Sequence, residues 1–323
     1  MDSKTVEDVW QRPHAWIAEY KGRFGRDVFR WLKWGKDRLP KSFEQCYVPT
    51  ATVLRVFHQM DGTPESIKSG SVLAALTAWR QTPIILSFSN TRVNDKTLET
   101  QSTVRFDVLR RLPYWGQYLQ GEFGTSPGGG RVVGAFAFLD YDFGTSAKLL
   151  RLVLDVVHPD RGNELFAWPV RVNLPLREGV EQQLQATGCT DPNMGLLSER
   201  IAVRLAPVVG CVLHLCDESF PTLDNSPFRT IEDISGTYPE REAIAAWNRK
   251  VRPGGEWRPP RSRTRRAYRG WGPSPRPHVR RAHFHDYWVG PRYHAHLETR
   301  WLAPVVVLSE TGEGMSAVVY RLD

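Results

Sequence analysis

Five of the nine histidines fall within 19 residues near the C-terminus: His278, His283, His285, His294 and His296. On extended backbone His283 and His285 share one face, as do His294 and His296, because side chains alternate along a strand. If two strands pair through a turn at Gly290, four imidazoles converge. Such a set would ligate zinc or serve a nuclease as general acid and base. No cysteine or carboxylate cluster accompanies it, and Asp286, next to His285, points to the opposite face. Strand histidines on a basic surface that stack, donate hydrogen bonds or face water are the simpler reading. No metal, no cofactor and no catalytic residue is therefore assigned.

Other chemistry-bearing residues give weaker patterns. Asp140, Asp142 and Asp155 sit on two adjacent strand candidates, as a metal-dependent nuclease would require, yet acidic residues also commonly mark strand ends and turns. Cys211 and Cys216 lie in an apolar helical run, where a small buried thiol is ordinary. With Cys46 and Cys189 they form no CxxC pair, which favours a reduced chain of free thiols. No HExxH or Walker motif occurs, and the glycines of 124–130 lack the lysine of a phosphate-binding loop.

Arginine gives the stronger signal. The chain has 43 basic and 35 acidic residues and a formal charge of +8, but the excess is local. Residues 252–281 hold ten arginines against one acid, Glu256, so this stretch carries +9; the remaining chain, with 33 basic and 34 acidic residues, carries −1. Arg261, Arg263, Arg265, Arg266 and Arg269 form its middle, with Trp257, Tyr268 and Trp271 interleaved. Guanidinium planes stack on bases and pair with phosphate, and aromatic interleaving suits single-stranded RNA. A solubilising linker is the alternative. Six prolines and four glycines between Arg252 and Pro277 exclude a continuous helix, so the stretch reads as an extended arm.

The elements that must position these residues read as α+β. Trp10 to Trp34 has helical spacing broken by Gly22 and Gly25, and Pro64 opens a further helix with Thr63 as its cap. Pro83–Ser89, Arg131–Tyr141 and Leu149–Val157 read as strands, the last two antiparallel. Phe166–Leu174 adds another, which Pro169 confines to an edge or a bulge. Gly124–Gly130 reads as a flexible loop. Leu196–Cys216 returns to helix, with Pro207 a kink or boundary, and Glu240–Lys250 fits a short helix. Ala282–Leu308 alternates like two strands around Gly290-Pro291. The apolar runs fall short of the roughly 20 residues that span a bilayer. The polar N-terminus lacks a signal-peptide pattern, so a cytoplasmic protein with no membrane partner is expected.

The run from Arg276 to Gly290, RPHVRRAHFHDYWVG, followed by TRWLAPVVV at Thr299–Val307, resembles the C-terminal signature of a type V-A anti-CRISPR family that blocks biosynthesis of the effector nuclease. Weaker echoes follow the same order at Ala78–Arg80, Leu112–Trp115 and Gly134–Asp140. Phe284 departs from the pattern, which has tryptophan between the two histidines, and His294 and His296 lie outside it. The matched positions are His278, Arg280, Arg281, His283, His285, Trp288, Arg300 and Trp301.

The resemblance implies a phage- or plasmid-borne inhibitor, not an enzyme, acting in the cytoplasm of a bacterial host. It would recognise the nascent N-terminal peptide of the nuclease and trigger loss of its mRNA, with the message or ribosome and a host decay factor as further partners. Arg280, His283, His285, Trp288 and Trp301 are the expected functional patch, with the arm arginines adding nonspecific affinity. The rivals are an RNA-binding accessory protein of a mobile element, a histidine-dependent ribonuclease, and a structural role for Trp288 and Trp301. The expected architecture has N-terminal helices on an antiparallel sheet, a later helical pair and a small C-terminal β unit. Its divisions are an α+β body over residues 1–251, the arm over 252–277, and the β unit over 278–323.

Overall fold

The computed structural model describes residues 3–36, 45–56, 64–142, 145, 147–217, 278–290, 296–307 and 318–322. Four helices come first: α1 Ser3–Phe24, α2 Val28–Lys36, α3 Thr50–Val56 and α4 Pro64–Gln81. Gly25, at φ 94°, makes the break between α1 and α2, because L side chains rarely adopt that conformation, while Gly22 stays inside α1. The chain then runs through β1 Ile84–Phe88, α5 Asn90–Asp95, α6 Phe106–Leu109, β2 Gln117–Gln120, β3 Arg131–Tyr141, β4 Lys148–His158 and β5 Gly162–Arg171. Two helices, α7 Leu176–Ala186 and α8 Met194–Leu215, close the main body. The last described segments are β6 His278–Arg280, β7 His283–Val289, β8 His296–Leu302, β9 Val305–Val307 and β10 Val318–Leu322.

The main sheet has six strands in the order β10-β1-β2-β3-β4-β5. It is mixed rather than antiparallel throughout, since β1 pairs in parallel with both β2 and β10. A parallel pair needs a long crossover, which α5 and α6 supply between β1 and β2. The β3–β4 pair is antiparallel, as its Val-, Phe- and Leu-rich runs predict, and β5 lies at the edge, where Pro169 sits opposite Arg151. The final strand β10 completes this same sheet, so the C-terminal residues return to the body.

Helices cover both faces, which explains why β3 and β4 are almost continuously apolar instead of alternating with polar residues. Phe136, Phe138, Tyr118 and Val153 pack under α1–α4 with Trp16, Leu32, Leu73 and Trp79. Ala135, Ala137, Leu139, Leu152 and Leu154 pack on the other side with Leu205, Val209 and Val212 of α8. Helix α7 escapes sequence reading because Gly179 interrupts it. That glycine lets the helix press on β5, since a Cβ there would lie 3.2 Å from the Arg171 carbonyl oxygen. Helix α8 runs through Pro207 without ending, so this proline is no boundary.

The Gly124–Gly130 segment is an ordered turn, not a flexible loop. Ser126 N–H donates to Gly130 O at 2.7 Å, and Arg204 Nη1 donates to the carbonyls of Ser126 and Pro127, each at 3.0 Å. Cys46, Cys211 and Cys216 are buried and free, and Cys189 is half-buried and free. Burial pushes the Cys211 and Cys216 thiols up to about 12, which keeps them protonated and unreactive. Among the described residues no helix is long and apolar enough to cross a membrane. Glu240–Lys250, the Thr63 cap and the whole arginine arm lie outside the described residues.

Candidate interaction site on the C-terminal ribbon

Strands β6 and β7 run antiparallel to β9 and β8 in a single register, from His278 opposite Val307 to Val289 opposite His296. They form one long ribbon with a break at Arg281–Ala282 and Ala303–Pro304. Two features make the break. Pro304 has no N–H to give the ladder, and the Ala282 N–H leaves the ribbon to donate to Pro113 O in the body, at 2.7 Å. A two-stranded ribbon is marginal in water unless it packs on something, and this hydrogen bond marks where it packs.

One side of the ribbon is its seat. The Trp301 ring stands edge-on to Trp115 with centroids 5.0 Å apart, and Trp115 meets Tyr47 in the same way at 5.4 Å. Opposite Trp301 on the ribbon, Phe284 lies under the Arg110 guanidinium, 4.5 Å from its ring centroid. Ala282 and Pro304 are buried at the break. The run Leu112–Trp115, an echo of the family pattern in sequence, is thus the surface on which the C-terminal signature docks. Trp301, expected in the functional patch, serves as an anchor here.

The other side faces out. His283 and His285 have ring centroids 6.4 Å apart, and His285 and Tyr287 only 4.5 Å, so the three rings form a column along β7. From the paired strand, Arg300 lies opposite His285 and places its guanidinium 5.8 Å from the Tyr287 centroid. His285, Tyr287 and Arg300 are exposed, and His283 is half-buried, with Nδ1 3.3 Å from the Arg281 carbonyl oxygen. The ribbon's acids are engaged locally. Thr299 Oγ1 donates to Asp286 at 2.6 Å, and Arg300 Nη2 donates to Glu298 at 2.8 Å.

The structure therefore divides the expected patch. His283, His285 and Arg300 come together on the outer side, and Trp301 goes to the inner one. Arg280 is exposed on β6 opposite Val305, while Arg281 is half-buried near Cys216 of the body. His278 and Trp288 have backbone places opposite Val307 and Leu297, and their side chains lie outside the described set. So do Arg261, Arg263, Arg265, Arg266 and Arg269.

The expected histidines do not converge, since His283 and His296 stand at opposite ends of the hairpin. His296 pairs with Val289, and His294 lies outside the described residues. Among the described residues no three of histidine, cysteine, aspartate and glutamate are grouped to hold a metal. Sequence reasoning missed Tyr287 and Arg110. Strand alternation from His285 points to Tyr287; nothing local points to Arg110.

The three central aspartates are structural. Asp142 is a turn residue, accepting from Thr145 N and Oγ1 at 2.9 Å each. Asp140 and Asp155 are not turn markers but buried carboxylates. Asp155 accepts from Arg12 Nε and Tyr118 Oη, both at 2.7 Å. Asp140 accepts from Arg151 Nε at 2.9 Å, and from Thr50 Oγ1 at 2.7 Å and Thr50 N at 3.1 Å, which fastens the start of α3 to β3.

Fold and site together define a three-layer α+β body carrying a two-sided ribbon. The chain belongs to the AcrVA2-like family, the anti-CRISPR type V subtype A2 family, whose pattern matches residues 90–309. That span takes in both the Leu112–Trp115 seat and the ribbon. Among solved structures, one described as the crystal structure of AcrVA2 aligns with 92% of this chain and 97% of its own, at 15% identity and a TM-score of 0.45. No curated protein matches.

Proposed function

We propose that the protein is a non-enzymatic inhibitor that recognises the N-terminal peptide of a type V-A effector nuclease as it is translated. Recognition leads, through a host decay factor, to loss of the nuclease message and so of the nuclease. Family membership supports the anti-CRISPR role. The two-sidedness of the ribbon supports the non-enzymatic one. Its inner side is spent on docking, and on its outer side His283 and His285 neighbour each other and Tyr287. Such a surface suits contact better than proton transfer, which needs a base within about 3 Å of its target and a partner to orient it.

Co-expression with a type V-A nuclease tests this reading, with nuclease protein and message followed against an unrelated control transcript. Selective loss of both is expected, and recoding the nuclease's first residues to another peptide should abolish it. Unchanged message and protein would refute the reading.

A further inference from the structure

We propose that the outer side of the ribbon is a stacking surface for single-stranded RNA, with His283, His285 and Tyr287 as the stack and Arg300 beside it. The choice of RNA over DNA rests on the function proposed above. The stacking surface rests on the ribbon alone.

Alternate residues of a strand project the same way at intervals of about 7 Å, and here three consecutive positions on that side are planar rings. The rings reach solvent where the ribbon leaves its seat: His285, Asp286 and Tyr287 on β7 are exposed, as are His296, Leu297, Thr299 and Arg300 on β8. Exposed rings on a strand are a costly surface for water and a good one for a nucleobase, whose two faces are apolar and polarisable.

Charge favours the same partner. On the ring side Glu298 is paired with Arg300, while Asp286, bonded to Thr299, projects to the other side. Arg280, exposed at the end of β6, and Arg281, half-buried, lie at the foot of the column. Cations therefore stand along one end of the stack, as a sugar–phosphate backbone running past stacked bases requires. A duplex hides its base faces, so the surface selects single strands. An acidic peptide would satisfy the arginines but gain little from the rings.

The test uses the full chain and a fluorescent 12-nucleotide RNA of unstructured sequence, with anisotropy read across a salt series. His285→Ala/Tyr287→Ala should weaken binding by about 10- to 100-fold. The slope of log affinity against log salt should stay unchanged, because no phosphate contact is removed. His285→Phe/Tyr287→Phe, which keeps the rings, should bind like the parent. Arg280→Ala/Arg281→Ala should flatten the salt slope by up to about 2.

Equal binding by the alanine pair would overturn the proposal. So would equal competition by duplex RNA or polyglutamate, since either would mean charge attraction alone. The assay contains no nascent chain, so its failure is distinct from failure of the co-expression experiment. Message loss that persists with an alanine pair that has lost RNA binding would refute a role for stacking while leaving peptide recognition intact.

Discussion

Within the sheet, Asp155 of β4 is held by Arg12 from a helix 143 residues away in sequence and by Tyr118 of β2, which reaches across β3. On the ribbon, Arg300, Tyr287 and His285 lie exposed beside one another. The buried set is complete, since every oxygen of Asp155 has a donor, and the space around it is exact: a Cβ at Gly134 would sit 2.1 Å from Tyr118 Oη. Such groups hold a fold together because removing one leaves the rest buried and unpaired. The ribbon's groups carry little of the fold, so they are free to meet something else.

That contrast sets a scale of expected effects. Asp155→Ala should cost most, about 3–5 kcal/mol in denaturant unfolding, because it strands the Arg12 charge and the Tyr118 hydroxyl. Burial opposes the Arg12 charge, and the hydrogen bonds and charge of Asp155 outweigh it, holding its pKa above the ordinary value. Arg12→Met together with Asp155→Leu should recover much of the loss, which would separate an unpaired charge from a generally fragile site.

His14 comes next. Burial, with the charge of Arg80 adding, pushes its pKa down to about 4, and its ring stands edge-on to Trp79 at 5.2 Å. The fold favours the neutral ring, so its contribution is complete above the ordinary value of 6.5 and is lost as pH falls toward 4. Between pH 7 and 4.5 this should remove about 2.5 kcal/mol. His14→Phe should flatten the stability profile over that window relative to the parent. Identical profiles would show that the ring is not buried in solution.

Trp301→Ala should cost less, about 1–2 kcal/mol, because the ring is half-buried and its main loss is the contact with Trp115. Its distinctive effect should be local: faster hydrogen exchange across Ala282–Leu302, with the main sheet unaffected. His285→Ala/Tyr287→Ala should cost least, within about 0.5 kcal/mol, as exposed positions do. A larger cost would mean that the outer side is structural after all.

The same contrast explains how far the sequence could be read. Local signals reported truly: the break at Gly25, the β3–β4 hairpin, Pro169 at an edge, and the two strands flanking Gly290. Long-range pairings leave no local period. Strand β2 is four residues long, β10 joins β1 from the far end of the chain, and Arg12 gives no sign of its partner Asp155. The candidate site shows the same split. Alternation placed His283 and His285 on one side, but the seating of Trp301 on Trp115 depends on residues 186 positions apart. Tryptophan suits a buried anchor and an exposed contact equally well, so its type alone could not decide the role.

The most direct test of the two-sided ribbon is the nuclease message level in cells co-expressing the His285→Ala/Tyr287→Ala protein, compared with the parent at equal abundance. The parent should deplete the message, and the variant, folded and as stable as the parent, should leave it near the level of an unrelated transcript. Full depletion by the variant would contradict the account, because the outer side would then have no part in the activity.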